Sequence, residues 1–326
     1  MKIALVGGAG FIGHNLAHRF KKIGHDVLIV DSLSVNNKWT VTGHPEYTAM
    51  IDERLELLHN AGVPLVYMDA RNYHQMSRCL GAWKPDILVH LAAVAHIDRS
   101  NKDPLSTFDH SLVTLENSLD ICRSIGIRQF VYFSSSTAYG DFKKPVVDET
   151  EICEPKGIYG SLKLAGELMV KAYGDTYSMP YTIIRPCALY GERCVSGRVT
   201  QKFVELAHAG KEIVIDGDGE GRHDFTYIED LVNGIELVTR VDAAKGQIFN
   251  ITAADARSLN DLVRIIREHY PHLVSRCGPA DPEKPSRGTM SNDKAMALLG
   301  YEPRWNLERG MGYYIGWYKT FRERMK

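Results

Sequence analysis

Short apolar runs rich in β-branched residues alternate with helical periodicity through the first half of the chain. Ile3 to Val6 reads as a buried strand, and Phe11 to Ile23 as a helix stopped by Gly24. Val27 to Val30, Leu65 to Met68, Ile87 to Leu91 and Phe130 to Phe133 read as further strands. Helical patterns lie between them, as at Leu112 to Ile125 with Gly126 as its stop. Strands apolar on both faces, alternating with helices, predict an α/β fold with a doubly wound parallel sheet. Asp31 to Asn60 is longer than a turn, and its end, Ala49 to Ala61, predicts an extra helix. Beyond about residue 180 the pattern changes. The turn-rich stretch Asp216 to Gly221 precedes shorter helices, and Ser258-Leu259-Asn260-Asp261 is a helix-capping signal. Trp305, Trp317, Tyr313, Tyr314 and Tyr318 fall at helical spacing and predict C-terminal packing. The chain carries no internal repeat, low-complexity segment or long linker.

Composition narrows the function classes. A chain of 326 residues with 44% hydrophobic and 24% charged positions is neither a disordered segment nor a rod. Its 39 basic and 40 acidic residues lack the electrostatic footprint of a nucleic-acid binder. No apolar run reaches the roughly 18 residues of a membrane span. Met1 to Val6 faintly resembles the start of a signal peptide, but Gly7-Gly8 ends the run and no cleavage site follows. The six cysteines, at 79, 122, 153, 187, 194 and 277, show no Cys-x-x-Cys spacing and read as reduced thiols of a cytoplasmic protein. Cys187 and Cys194 are the one pair close enough in sequence to question.

The first chemical signal is Gly7-Gly8-Ala9-Gly10-Phe11-Ile12-Gly13, between a predicted strand and a predicted helix. Gly7 permits a tight turn, Gly10 close approach to a pyrophosphate, and Gly13 packing of helix on strand, while the helix N-terminus offers amide donors. Asp31 closes the second strand, where an acid accepts hydrogen bonds from an adenosine ribose and repels a 2′-phosphate. That favours NAD over NADP. The second signal is Tyr159-Gly160-Ser161-Leu162-Lys163, which puts a phenol and an ammonium on one helix face. Lowering a tyrosine pKa by about three units needs roughly 4 kcal/mol of differential stabilisation, which neighbouring positive charge can supply. The third is Ser134-Ser135-Ser136-Thr137 at the end of the fifth strand, the edge where doubly wound sheets bind ligands.

In this order and at these separations the three signals resemble the extended short-chain dehydrogenase/reductase family, over nearly the whole chain. The resemblance implies a Rossmann-type NAD-binding domain at residues 1–178 and a smaller nucleotide-sugar-binding lobe at 179–326, with some chain returning to the first. It implies cofactor contacts from Gly7, Gly10, Phe11, Ile12, Gly13 and Asp31. Asp31-Ser32-Leu33 resembles the ribose loop of UDP-galactose 4-epimerases. Asp69-Ala70 matches the acidic residue at adenine, and His90-Leu91-Ala92-Ala93 the strand passing the nicotinamide ribose. Ala95 to Ser100 is closest to the sugar-nucleotide dehydratase variant. By position before Gly140, Ser135 is the catalytic hydroxyl, beside Tyr159 and Lys163, which also contact the cofactor. Arg185-Pro186-Cys187-Ala188-Leu189-Tyr190-Gly191 is similar to Arg-Pro-x-Asn-x-Tyr-Gly and makes Pro186 a cofactor contact. Ser136, Thr137, Arg222, His223 and Arg287 are the implied substrate contacts. A homodimer through helices that include the Tyr159 helix is implied as well.

Three positions depart from the family pattern: Ala188 for the usual Asn, His223 for the usual Arg with Arg222 before it, and Ser111 for the usual Asn. The reaction follows from what surrounds the hydroxyls. A 4,6-dehydratase has an Asp-Glu pair after the catalytic Ser/Thr; here Ser136 and Thr137 stand there. The expectation is a nucleotide-sugar 4-epimerase, oxidising C4 and returning hydride to the opposite face. The alternatives are net dehydrogenation of the same substrate and a non-catalytic NAD-sensing protein. No metal site is expected: His14 and His18 lie four apart with no third ligand in view. His96 is a candidate proton shuttle or simply a polar loop residue.

Overall fold

The computed structural model describes residues 1–34, 41, 43–94, 97–281 and 285–326, with the backbone alone at 97–99. Seven strands form the central sheet: β1 (Lys2–Val6), β2 (Asp26–Asp31), β3 (Leu65–Tyr67), β4 (Ile87–His90), β5 (Gln129–Phe133), β6 (Tyr181–Arg185) and β7 (Gln247–Asn250). Their order is β7-β6-β5-β4-β1-β2-β3, with every neighbouring pair parallel. Crossovers leave β1 in both directions, so a crevice opens between the ends of β1 and β4. This is the Rossmann-type arrangement. Strand β1 shows why: Ile3 and Leu5 pack into one core with the Phe11–Lys22 helix, Ala4 and Val6 into the other with the Tyr73–Trp83 and Thr114–Ile125 helices. A strand covered on both faces has no polar side, which is the pattern the sequence displays.

The predicted extra helix runs from Pro45 to Asn60. The Leu112–Ile125 pattern divides: regular α-helix begins at Thr114, and Asp109–Val113 is wound as a π-turn before it. The cap at Ser258 is a reciprocal capping box with Asp261, opening the Leu259–His269 helix. The last helix is Leu307–Arg324, with Tyr314 and Tyr318 buried. Tyr313, expected to pack, is 58% exposed, because its position turns it outward against Trp305, which precedes the helix. Two central strands, β6 and β7, come from beyond residue 178.

Three small strand pairs complete the fold: Ile213–Ile215 with Ser275–Cys277, Arg222–Asp224 with Ala256–Ser258, and Val146–Val147 with Thr289–Met290. The last carries a C-terminal segment back to the end of β5. Asp224 anchors it, its Oδ2 accepting from the Met290 amide at 3.0 Å. Asp224 is buried and its Oδ1 has no hydrogen-bond partner. Burial pushes its pKa up to about 7. A raised pKa favours the neutral form in the fold, so stability from this group is present below the unfolded carboxyl's pKa and is lost as pH rises to about 7. Asp224→Asn should therefore gain on the parent by up to about 4 kcal/mol between pH 4 and pH 8, read by urea unfolding at each pH. A constant difference across that range would rule this out.

Candidate active site

The Gly-rich turn follows β1 and opens the Phe11–Lys22 helix, as the sequence predicts. Gly7 has φ +79°, and a Cβ there would come within 2.6 Å of the Ala92 amide nitrogen. The turn thus lies against the chain leaving β4, where Leu91 donates its amide to Val6. A Cβ at Gly13 would strike the Gly8 backbone, whereas at Gly10 the nearest atom is the Gly7 oxygen at 3.5 Å. The cradle is therefore tight on its inner side and open at Gly10. Phe11 and Ile12 form the first turn of the helix, with no side-chain cap on its amides.

Asp31 ends β2 facing this turn. Its Oδ2 accepts from the Ala9 amide at 2.9 Å and its Oδ1 from the Leu33 amide at 2.7 Å. Each oxygen keeps a further lone pair, enough for a pair of ribose hydroxyls. Burial raises the Asp31 pKa, opposed by the two amides and by the Arg54 guanidinium. Asp69 follows β3, with its carboxylate held by Arg71 at 2.6 Å and its pKa lowered by that partner. Beside it Ala70 is buried, its carbonyl accepting from Asn117 at 2.9 Å. Ala92 and Ala93 are half-buried after β4. Among the described residues, the donors and acceptors of this crevice fit a dinucleotide.

At the end of β5 the chain enters a short 3-10 turn, Ser136–Tyr139, capped by Ser135. The Gly157–Tyr177 helix packs directly on this turn. A Cβ at Gly160 would lie 2.8 Å from the Thr137 carbonyl oxygen, so the glycine after Tyr159 lets the phenol reach the hydroxyl. Ser135 Oγ accepts from the Thr137 amide at 3.2 Å, which leaves its own proton free to face the Tyr159 phenol, whose pKa it lowers. Lys163 is buried, its Nζ 5.8 Å from the Tyr159 ring centroid and donating to the Phe133 carbonyl at 2.7 Å. Desolvation pushes Lys163 down to about 8, against the pull of Glu167.

Burial raises the Tyr159 pKa, and the groups opposing that rise are Arg198, the Ser135 hydroxyl and Arg287. Lys163, on the same helix face, donates to the Phe133 carbonyl. Arg287 also donates to the Ser136 hydroxyl. Thr137 Oγ1 is buried without a partner, and the Pro186 carbonyl accepts from the Ser136 amide at 3.0 Å. The structure thus brings Ser135, Ser136, Thr137, Tyr159, Lys163, Pro186 and Arg287 together. Arg222 is turned away to the Ala256 carbonyl at 2.5 Å, and His223 packs on Phe225 with centroids 5.5 Å apart. Ala188 adopts φ +36°, a left-handed conformation that Asn tolerates better than Ala. His14 is a hydrogen-bonding residue, with Nδ1 2.9 Å from the Gly10 carbonyl and Nε2 accepting from Arg193. No group of three metal-ligating side chains occurs among the described residues. All six cysteines are free. His96 lies outside the described residues.

Two features escaped the sequence reading. Glu167 is buried eight residues after Tyr159, two turns along the same face, and accepts from Arg185 Nε at 2.8 Å and Nη2 at 2.6 Å and from Ser134 Oγ at 2.5 Å. Its spacing was a usable signal. Arg198 was not findable: it caps the Val199–His208 helix, and only the tertiary fold brings it to Tyr159.

Comparison with known proteins agrees with this geometry. A protein named "Probable UDP-glucuronate 4-epimerase" from Rhizobium meliloti is 27% identical, covering 98% of this chain and 97% of its own. The crystal structure of UDP-glucuronic acid 4-epimerase from Bacillus cereus, with UDP-glucuronic acid and NAD, superimposes with TM-score 0.89 at 25% identity over 98% of this chain and 99% of that one. The UDP-glucose 4-epimerase of Thermotoga maritima, with UDP-glucose, gives TM-score 0.87 at 26% identity over the full length of both chains. The model of the NAD dependent epimerase/dehydratase family matches residues 3–252. With a glycine cradle, an anchored ribose acid and a Ser-Tyr-Lys cluster at one crevice, the chain belongs to the NAD dependent epimerase/dehydratase family, and its cofactor is NAD.

Proposed function

We infer that this protein is an NAD-dependent nucleotide-sugar 4-epimerase, acting on a UDP-linked hexose. One observation carries the reading. The Ser135 hydroxyl faces the Tyr159 phenol at the crevice, while the two positions after Ser135 hold hydroxyls, one engaged by Arg287, in place of an acid pair. Such a site can take and return a proton at one oxygen but has no group to expel water.

When bound, NAD supplies the acceptor for the C4 hydride and its return. Gly7, Gly10, Phe11, Ile12, Gly13 and Asp31 would hold its adenosine and pyrophosphate half, with Asp69 and Ala70 for the adenine. Leu91, Ala92, Ala93, Pro186, Tyr159 and Lys163 would hold the nicotinamide half. Tyr159 takes the proton of the C4 hydroxyl and later gives it back, and Ser135 donates to the same oxygen. Arg287, with Ser136 and Thr137, grips the substrate; Arg287 neutralises the diphosphate. Arg222 and His223 were the remaining expected contacts, and the Arg222 bond to Ala256 argues against its taking part.

Residues 1–178 with the two returning strands make the NAD-binding unit, and the other residues after 178 the nucleotide-sugar lobe. Leu105, Phe108, Leu168 and Tyr177 are exposed on neighbouring helices, one of them the Tyr159 helix, which supports a homodimer through that face. No helix among the described residues is long and apolar enough to cross a membrane. With six free thiols, that supports a cytoplasmic setting.

The test is incubation of purified, NAD-loaded protein with UDP-glucose and with UDP-glucuronate, followed by proton NMR. A C4 epimer should form without lasting near-ultraviolet absorbance from reduced cofactor. A keto sugar with accumulated reduced cofactor would establish the dehydrogenase instead.

A further inference from the structure

His90 ends β4 opposite Tyr132 on β5, and nothing in the reaction above uses it. It is 1% exposed, stacked against Phe130 and Tyr132 with centroids 6.1 and 6.2 Å apart. Its Nδ1 is 3.1 Å from Ser118 Oγ. Ser118 spends its single proton on the Thr114 carbonyl at 2.8 Å, so towards His90 it can only accept. That fixes the proton on Nδ1 and leaves Nε2 as a bare lone pair. Nε2 is buried and has no hydrogen-bond partner. An unsatisfied buried acceptor costs about 1–3 kcal/mol and calls for a reason.

The reason on hand is Lys163. Its Nζ lies 5.3 Å from the centroid of Tyr132, the ring on which His90 stacks. The ammonium has three protons and spends one on the Phe133 carbonyl. Burial and the Lys163 charge, opposed by the Ala92 backbone, push the His90 pKa down to about 3, so this imidazole stays neutral. Hydrogen bonds of catalytic groups are commonly long before ligands bind and tighten in the complex.

We propose that His90 is a positioning residue for the reaction: on binding of NAD and substrate, its Nε2 accepts a hydrogen bond from the Lys163 ammonium. With the Phe133 carbonyl as the other tether, the third N–H is left with one direction, outward to the bound ligands. This rests on the reading of Lys163 as a cofactor contact. The other charged or titratable groups around Lys163 are Tyr159 and Glu167 on its own helix, Tyr132 on β5, and Arg185 on β6, which pairs with Glu167.

Two substitutions separate the roles of the ring nitrogens. His90→Gln keeps an acceptor at the distance of Nε2, and His90→Asn keeps only a group within reach of Ser118. NAD affinity, titrated on protein stripped of cofactor, should fall about tenfold in His90→Asn and stay near the parent value in His90→Gln. An acceptor favours the charged ammonium, so in His90→Asn the alkaline limb of the kcat–pH profile should move to lower pH. Ser118→Ala, which frees the tautomer at little steric cost, should move it the same way. Equal NAD affinity and equal pH limbs in the two His90 variants would overturn the proposal. If the parent binds NAD but epimerises nothing, the titration alone still decides on His90, while the reading of the reaction fails separately.

Discussion

Tyr159→Phe is expected to lower kcat by about 10²–10⁴-fold, the usual contribution of a positioned acid/base, while leaving NAD bound. The aromatic ring is 9% exposed and its packing survives the change. What disappears is the one oxygen that touches Ser135. The pH dependence follows from the causes of its shift. Burial raises the Tyr159 pKa, and Arg198, Ser135 and Arg287 pull it back. Neutralising Arg198 or Arg287 should therefore move the rising limb of kcat to higher pH. Steady-state rates and a cofactor titration on the same preparation check this. A Phe variant with parental kcat would remove Tyr159 from the chemistry.

Glu167→Ala is expected to cost about 3–5 kcal/mol of stability, the usual result of removing one partner of a buried ion pair. Glu167 is 0% exposed and holds the Arg185 guanidinium in two hydrogen bonds, with Ser134 as a third donor. Arg185 lies at the end of β6, buried beside the ring of Tyr139. The loss should appear in urea unfolding as a lower midpoint at unchanged slope. Replacing both Glu167 and Arg185 by Met should recover most of it, since no charge is then left unpaired. A single-variant cost below about 1 kcal/mol would show the pair to be dispensable. The damage should extend to turnover, because Glu167 lies one helical turn from Lys163 and supports its charge.

The parts of the fold legible in the sequence are those with strong local pattern. β1, its glycine turn and the following helix occupy twenty-one residues in which strand period, turn chemistry and helix period agree. β6 and β7 were not read as strands. Tyr181–Arg185 and Gln247–Asn250 are short, and their apolar character reflects pairing with β5 and with each other, which no local window contains. The end of the π-turn, Leu112 and Val113, was read as plain helix because one extra residue per turn barely disturbs a hydrophobic stripe. In the site, Tyr159, Lys163 and Ser135 were legible because a helix face and a strand end are local features. Arg287 was legible only by family pattern, and its contact with Ser136 spans 151 positions of sequence. Arg198 shows the limit, since the Gly-Arg-Val around it signals nothing until the loop folds over Tyr159.

The central claim is oxidation at C4 with return of the same hydrogen. The direct measurement uses UDP-glucose or UDP-glucuronate carrying deuterium at C4, turned over in ordinary water and read by NMR and mass spectrometry. The account predicts that both epimers keep the deuterium at C4, with none in solvent and none in the free cofactor pool. Loss of the label to water, or its build-up in released cofactor, would contradict it.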